Sequence, residues 1–169
     1  MVEPEPIAVE RTPPADIEEL FRAHYERLVR SLTMASGDPE QAADAVQEAF
    51  VRAHVRWRRL RQYEDPVGWV RRVAINLLRD QHRRSKRKDR ALARLAAVPA
   101  AAEGVPRHDG LGELLDELPP QQRTAVALYY VEDLSVAEIA TAMGLAEGSV
   151  KSHLHDARRR LRKVIGEES

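Results

Sequence analysis

The stretch from Leu134 to Arg162 constrains the fold most, because it encodes two helices joined by a tight turn. Ser135 and Glu138 have the spacing of a capping box, in which the hydroxyl accepts a backbone N–H and the carboxylate reaches back. Gly144 stands where the first helix must end, since glycine adopts the left-handed conformation without strain. The second, longer helix has an apolar stripe of Val150, Leu154, Ala157 and Leu161. This pattern predicts a helix-turn-helix.

The N-terminal part of the second helix carries side chains that donate hydrogen bonds. In a DNA-binding helix-turn-helix this part of the second helix enters the major groove. Candidates for contacts to base edges and phosphates are Ser149, Lys151, Ser152 and His155. Candidates for neutralising flanking phosphates are Arg158, Arg159, Arg160, Arg162 and Lys163. The alternative is a helical hairpin with a solvated basic face, but the capping, glycine and basic signals agree on DNA binding.

The formal net charge is zero, but the charges are sorted along the chain. Residues 52–94 contain fifteen Arg or Lys against four acids, and residues 151–165 are basic apart from Asp156. Residues 1–20 and 95–150 are acidic. Two basic blocks separated by acidic ones indicate two polyanion-binding surfaces.

Several classes of protein are disfavoured. The chain has no cysteine, so it can form neither a disulfide nor a Cys-based zinc site. The six histidines form no metal-binding pattern, and no phosphate loop or nucleophile motif is present. No metal, cofactor or catalytic residue is therefore predicted. With neither a signal peptide nor a long apolar run, we expect a cytoplasmic protein without membrane insertion.

The periodicity predicts an all-α architecture: an N-terminal helical domain and a C-terminal helix-turn-helix domain on a flexible linker. Residues 1–15 are acidic, rich in proline and predicted to be disordered. Residues 16–94 contain three apolar-striped helices, two of which begin at Asp38-Pro39 and Asp65-Pro66, with Arg58–Pro66 as a loop. Residues 95–110 are rich in small residues and form the linker, and residues 111–165 form the second domain.

Aromatic side chains lie beside arginines around the predicted loop. This combination holds single-stranded bases by stacking and charge. For Trp57 and Trp69 a core position is favoured, whereas Tyr63 in the loop is the better candidate for stacking. Asn76 lies among apolar residues and fits a buried amide and a base reader equally well.

The order of these motifs resembles bacterial RNA polymerase sigma factors of the sigma-70 family, extracytoplasmic-function (ECF) subgroup. DAVQEAFVRAH (44–54) is similar to the helix that binds core polymerase, and PVGWVRRVAINLLRDQHRR (66–84) is similar to the helix that reads the −10 element. Residues 115–162 are similar to the domain that reads the −35 element. The resemblance covers roughly residues 17–92 and 111–165.

The resemblance implies a role for individual residues. Contacts to the clamp helices of the largest polymerase subunit fall to Asp44, Gln47 and Glu48. Capture of the melted −10 element falls to the loop with Arg58, Arg59, Arg61 and Tyr63 and to Asn76, with Arg71, Arg72 and Arg79 on the DNA backbone. Recognition of the −35 duplex falls to Ser149, Lys151, Ser152, His155, Arg158 and Arg159, with Arg123 on a phosphate. The implied partners are core polymerase, including the flap of its second subunit, promoter DNA and an anti-sigma factor.

The recognition helix departs from the family pattern at two positions. Ala146 stands where relatives usually have a capping Ser or Thr. Asp156 stands where many relatives have a basic residue, and its charge would repel phosphate, although a carboxylate can accept from a cytosine amine. The base contacts of this helix are therefore left open.

Two other functions fit parts of the sequence. GSVKSHLH (148–155) also resembles the helix-turn-helix of LuxR-type regulators, which bind duplex operators as dimers. Such a regulator would not use the polymerase-facing helix. A protein-interaction module with basic surfaces is the other possibility, and weak, salt-insensitive DNA binding would favour it.

Overall fold

In the computed structural model, residues 16–95 and 110–167 are described, and all regular structure within them is helical. The helices are α1 (Ile17–Ser36), α2 (Pro39–Val55), α3 (Trp57–Leu60), α4 (Pro66–Leu95), α5 (Gly110–Asp116), α6 (Pro120–Val131), α7 (Val136–Met143) and α8 (Glu147–Glu167). Helices α1–α4 form the N-terminal domain and α5–α8 the C-terminal domain. The all-α, two-domain prediction is confirmed, whereas the predicted disordered N-terminus and most of the predicted linker lie outside the described residues.

The predicted helix starts are present. The Asp16 carboxylate accepts from the Glu19 backbone N–H at 2.8 Å, and Asp38 Oδ1 accepts from the Glu40 N–H at 3.0 Å. Asp65 Oδ1 accepts from the Gly68 N–H at 3.0 Å ahead of α4. Such bonds satisfy N–H groups that have no partner inside the helix.

The helix-turn-helix has the local geometry that its sequence predicts. Ser135 and Glu138 form both bonds of the capping box, each at 3.1 Å. Gly144 follows α7 in a left-handed conformation with a φ of 66°. Its backbone N–H donates to the carbonyls of Ala140 and Thr141 in the last turn of α7. Val150 and Leu154 of α8 are buried against the rest of the domain.

One local prediction is wrong. The segment from Arg58 to Pro66 was expected to be a loop, but its first residues belong to the helical turn α3, and Pro66 already belongs to α4. Leu60 explains the difference, because its side chain is buried in the core and this packing holds the segment in one helical turn. An irregular connection remains only over residues 61–65.

The two domains pack directly on each other. Helix α1 lies against α2 of its own domain and also against α6, while α4 packs against α7, the first helix of the helix-turn-helix. Buried side chains of both domains, such as Leu28 and Leu32 on α1 and Leu128 on α6, join in one continuous apolar cluster. The surfaces predicted for the two domains therefore lie close to an interdomain interface.

The left-handed turn at Gly144 gives a first prediction. Gly144→Ala should lower the free energy of unfolding by about 1 kcal/mol, because a Cβ is disfavoured at positive φ. For a chain of this size the midpoint of thermal unfolding should fall by about 2–4 °C.

Gly148→Ala is the matched control, since a Cβ there meets nothing within 4 Å and the position is helical. It should leave the unfolding midpoint unchanged or raise it. Equal midpoints for the two variants would contradict the assigned role of Gly144.

Candidate nucleic-acid interface

The start of α8 presents its predicted reading residues to solvent. Ser149, Lys151, Ser152 and His155 are all exposed. The opposite stripe of Val150, Leu154 and Ala157 is buried, so packing fixes which face of the helix is free. A major groove could therefore be approached by polar side chains on a rigid support.

Arg158 is held by two tyrosines of α6. Its Nε donates to the Tyr130 hydroxyl at 3.2 Å, and its guanidinium lies 5.6 Å from the centre of the Tyr129 ring. The hydrogen bond to Tyr130 is the main cause of a raised pKa for Arg158. Arg159, the next candidate phosphate ligand, is exposed.

Asp156 faces the side of α8 where α5 ends and α6 begins. It lines a surface hollow with Glu117, Gln122, Arg159 and Arg160. Gln122 is buried, and its Oε1 has no hydrogen-bond partner within the described residues. The hollow mixes both signs of charge, so it does not by itself indicate a phosphate site.

Most of the candidate −10 residues are accessible. Arg58, Arg59, Arg61 and Tyr63 are exposed around α3 and the connection to α4, and Arg72 and Asn76 are exposed on α4. The exposure of Asn76 decides one question left open by the sequence, since it is not a buried amide.

Three of the predicted DNA ligands, Arg71, Arg123 and Arg79, are engaged inside the protein instead. Arg71 is buried and pairs with Glu132, Nε to Oε1, at 3.0 Å. Arg123 is buried, donates to the Met34 carbonyl and pairs with Asp116. In this conformation neither guanidinium can reach a phosphate. Arg71 lies between Val70 and Ala74 on the buried stripe of α4, and this position on an apolar stripe was the signal for a buried partner.

Arg79 is partly buried at the same interface. Its Nη1 donates to the Met143 carbonyl at 3.2 Å, while its Nη2 is buried without a partner among the described residues. Desolvation, with a contribution from the charge of Arg83, lowers the pKa of Arg79. The guanidinium is thus held in a site that satisfies only part of its hydrogen-bonding capacity.

The tryptophans pack as predicted. Trp57 and Trp69 are partly buried against the core, and the Arg56 guanidinium lies 5.9 Å from the Trp69 ring centre. Tyr63 is 51% exposed, so its ring is free to receive a base.

The predicted polymerase-facing residues form an exposed stripe on α2. Asp44, Gln47 and Glu48 are exposed, and Gln47 Nε2 donates to the Tyr25 hydroxyl at 3.1 Å. The sequence analysis missed the apolar members of this stripe, Val51 and Val55, which are 58% and 79% exposed. Their spacing of seven and eleven residues from Asp44 places them on the same helix face.

A groove beside this stripe is also apolar. Phe21 stacks on Tyr25 with ring centres 4.5 Å apart and meets Phe50 edge-on at 5.0 Å. The groove is lined by Ile17, Glu18, Phe21, Arg22, Gln47, Phe50, Val51 and His54. Aromatic and aliphatic groups rimmed by polar ones are typical of a protein–protein interface.

Within residues 16–95 and 110–167, no group of three or more His, Asp or Glu side chains is placed to hold a metal ion. Among the same residues no helix combines the length and apolar character needed to cross a membrane.

Two family models match the chain in the order of its domains. The one described as sigma-70 region 2 matches residues 20–88, and the one described as sigma-70, region 4 matches residues 108–161. RNA polymerase sigma-E factor of Streptomyces avermitilis is 34% identical over 152 residues, which cover 89% of this chain and 85% of that protein. The chain belongs to the sigma-70 family, ECF group. ECF RNA polymerase sigma factor SigE of Mycolicibacterium smegmatis is 33% identical over 168 residues, but the match spans 90% of this chain and only 62% of that protein.

Solved structures of sigma factors share the fold across both domains. One is the sigma factor RpoE in complex with the anti-sigma factor NepR from Bartonella quintana, with a TM-score of 0.74, 20% identity and coverage of 89% of this chain and 97% of that one. Another is CnrH in complex with the cytosolic domain of CnrY, with a TM-score of 0.62, 23% identity and coverage of 90% and 89%. At these identities the likeness establishes the fold of this sigma factor.

The contrast between Trp57 and Tyr63 gives a second prediction. Trp57→Ala should lower the free energy of unfolding by about 2 kcal/mol, less than for a fully buried aromatic residue, because part of the ring is already in water. Urea unfolding followed by circular dichroism measures this change.

Tyr63→Ala is the control, and it should leave the unfolding midpoint within error of the parent. A loss of stability for Tyr63→Ala as large as that for Trp57→Ala would mean that Tyr63 is structural.

Proposed function

We propose that this chain is a promoter-specificity subunit of bacterial RNA polymerase. It binds the core enzyme in the cytoplasm, directs it to promoters through −10 and −35 elements, and helps to melt the inner element. It makes and breaks no covalent bond itself and uses no cofactor. The observation that carries the proposal is the presence of sigma-70 regions 2 and 4, in that order, on one chain.

The exposed stripe of α2 is the proposed surface for core polymerase. Gln47 is fixed by its bond to Tyr25, and Glu48 pairs with Arg52 one turn away at 3.1 Å. These bonds hold polar side chains in place beside the exposed Val51 and Val55. A partner helix laid along this stripe would cover the apolar groups and meet positioned hydrogen-bonding groups, as hot spots of interfaces require.

The connection between α3 and α4 is the proposed site for the melted −10 strand. Tyr63 offers a ring for stacking, exposed arginines lie on both sides of it, and Asn76 offers an amide to a base edge. Unstacking a base costs a few kcal/mol, and capture of the extruded base offsets this cost. We therefore propose that the capture of an unstacked base helps to melt the −10 element.

The first turns of α8 are the proposed reader of the −35 duplex. Ser149, Lys151, Ser152 and His155 supply contacts to the groove, and Arg158 and Arg159 supply contacts to the backbone. An anti-sigma factor is a further proposed partner, because RpoE was solved in complex with one.

Transcription by purified core polymerase on a pool of promoter fragments tests the proposal. Run-off transcripts that require this protein are expected. Replacement of Gln47 and Glu48 together by alanine should reduce these transcripts about tenfold, because two interface side chains are lost from the polymerase-binding stripe.

Glu26→Ala is the control, an exposed acid on α1, and it should leave the transcripts unchanged. Absence of core binding together with tight binding to intact duplex would instead establish a stand-alone regulator. Weak DNA binding that hardly responds to salt would favour a protein-interaction module.

Asn76→Ala separates the two proposed DNA contacts. Promoter opening, measured by permanganate reactivity of unpaired thymines, should fall about tenfold because one base-specific contact of roughly 1–2 kcal/mol is lost. Binding of the isolated −35 duplex should not change, because Asn76 lies on the other domain. Equal losses in both measurements would refute the assignment of Asn76.

A further inference from the structure

A cluster of two tyrosines and one arginine lies where α6 meets α8. Tyr129 and Tyr130 are consecutive residues near the end of α6, and Arg158 lies in the middle of α8. Arg158 Nε donates to the Tyr130 hydroxyl at 3.2 Å, and the guanidinium lies 5.6 Å from the centre of the Tyr129 ring. The two rings meet edge-on, with their centres 4.9 Å apart. Neighbouring side chains of α6 thus hold one arginine of α8 from two directions.

The two tyrosines differ in their exposure to solvent. Tyr129 is partly buried and packs against the core. Tyr130 is 57% exposed, although its side chain is large and aromatic. Core packing therefore accounts for Tyr129 but not for Tyr130, which meets Arg158 through its hydroxyl. Single exposed aromatic residues are common on protein surfaces, so a role for Tyr130 has to be argued from what its hydroxyl can bind.

The cluster continues the side of α8 that carries candidate DNA contacts. Lys151, His155 and Arg158 follow one another at intervals of four and three residues, which places them along one side of the helix. Lys151 and His155 are exposed in the first turns of α8. Arg158 and Tyr130 therefore lie beside the C-terminal end of this side, where the backbone of a duplex seated on the first turns would pass.

The direction of the hydrogen bond leaves a donor for a ligand. A phenol oxygen can accept one hydrogen bond and donate another, and Arg158 supplies the bond that Tyr130 accepts. Within residues 16–95 and 110–167, the Tyr130 hydroxyl donates to no acceptor. The bond uses the Nε–H of Arg158, so the N–H groups on its two Nη atoms lie outside it. The cluster thus combines a neutral O–H donor with the charged N–H donors of a guanidinium.

Donors of this kind suit a phosphate group. A phosphate has several oxygens that accept at once, and hydrogen bonds from a guanidinium to a phosphate are shorter and stronger than bonds between neutral groups. Tyrosine hydroxyls are among the side-chain groups that donate to DNA phosphates. A neutral hydroxyl and a guanidinium that already touch each other can therefore serve the same phosphate.

The cluster also lowers the entropic cost of a contact through Arg158. A free arginine side chain has many rotamers, and a contact to DNA has to select one of them. The bond to Tyr130 and the cation–π contact with Tyr129 already restrict the guanidinium in the folded protein. Restricting a binding group in advance increases affinity without a new contact.

We propose that Tyr130 and Arg158 form a shared phosphate site for the −35 duplex. Tyr130 donates its O–H to a phosphate oxygen and positions Arg158, which donates to the same phosphate through its Nη N–H groups. Tyr130 is thereby a DNA-binding residue outside the recognition helix. The identity of the duplex as a −35 element rests on the proposed function, whereas the contact between Tyr130 and Arg158 in the free protein does not.

Titration of a fluorescent duplex tests the shared phosphate site. The full chain is mixed with a duplex of mixed sequence, about two helical turns long, because contacts to phosphates do not depend on base sequence. Anisotropy is followed at several salt concentrations. Tyr130→Phe removes only an exposed hydroxyl and should weaken binding about fivefold, as the loss of one hydrogen bond predicts. The slope of log affinity against log salt concentration should not change, since no charge is removed.

Replacements of Arg158 separate its charge from its geometry. Arg158→Ala should weaken binding about tenfold and reduce the salt slope by about one, because one charged phosphate contact is lost. Arg158→Lys keeps the charge and therefore the slope, but it lacks the Nε–H and the planar fork and should weaken binding about fivefold. Arg27→Ala removes an exposed arginine of α1 and is the control. It should leave affinity and slope unchanged.

The double variant, Tyr130→Phe with Arg158→Ala, tests whether the two residues act together. Its loss of affinity should be smaller than the product of the two single losses, because both groups serve one phosphate. An unchanged affinity for Tyr130→Phe, an unchanged slope for Arg158→Ala, or fully independent losses in the double variant would overturn the inference.

Nitrogen–proton correlation spectra of the free protein measure the positioning of Arg158 without DNA. The Nε–H signal of Arg158, assigned by its loss in Arg158→Lys, should exchange slowly with water in the parent protein and rapidly in Tyr130→Phe. Equal exchange rates in the two proteins would mean that the hydroxyl does not hold the guanidinium, and the positioning role would be overturned.

Run-off transcription separates this inference from the proposed function. If only the proposed function fails, no transcript depends on the protein, while Tyr130→Phe still weakens duplex binding. If only the inference fails, transcripts depend on the protein and Tyr130→Phe leaves duplex binding unchanged. Loss of core polymerase binding in Tyr130→Phe, with duplex binding intact, would assign the hydroxyl to a protein contact and overturn the inference.

Discussion

Helix α1 is packed on two sides, and the arrangement of the molecule depends on it. One side lies against α2 and α4, and the other lies against α6 of the second domain. Leu28 and Leu32 are fully buried in consequence, and Ser31 between them is buried although it is polar. A polar group in such a place requires a hydrogen-bond partner, and the Ser31 hydroxyl lies 3.1 Å from the Leu28 carbonyl of its own helix and 3.0 Å from Glu132 Oε2 of the other domain. Glu132 also pairs with Arg71, so polar contacts and apolar packing join the two domains at the same place.

Local chemistry made much of the fold predictable. Helix starts at Asp16, Asp38 and Ser135 and the end at Gly144 depend on contacts between residues three or four apart, and such contacts can be read from spacing alone. The all-α architecture followed from the same periodicity. Leu60 shows the limit of this reasoning, because its burial, which turned an expected loop into α3, depends on the tertiary core.

The candidate site was less predictable, because the surroundings of its residues also depend on tertiary contacts. Lys151 could be assigned to a surface because helix periodicity separates outer from inner faces, and Tyr63 because it was predicted to lie in a loop. Arg71 pairs with Glu132, 61 residues away, and Arg123 donates to the Met34 carbonyl, 89 residues away, and no local spacing reveals pairings over such distances. Nothing in the sequence around Glu132 indicated a buried ion pair, since the residue simply belongs to an acidic block. The sequence therefore predicted DNA ligands, while the structure revealed that some of them have partners inside the protein.

The two domains belong to one polypeptide, and fourteen residues separate the end of α4 from the start of α5. A tether of this length keeps each domain at an effective concentration on the order of millimolar around the other. An interface too weak to join two separate molecules can then stay closed within one chain. Closure is also first order, so the closed fraction is the same whether a cell contains ten copies or thousands. The packing of the two domains therefore does not depend on how many copies of the protein a cell contains.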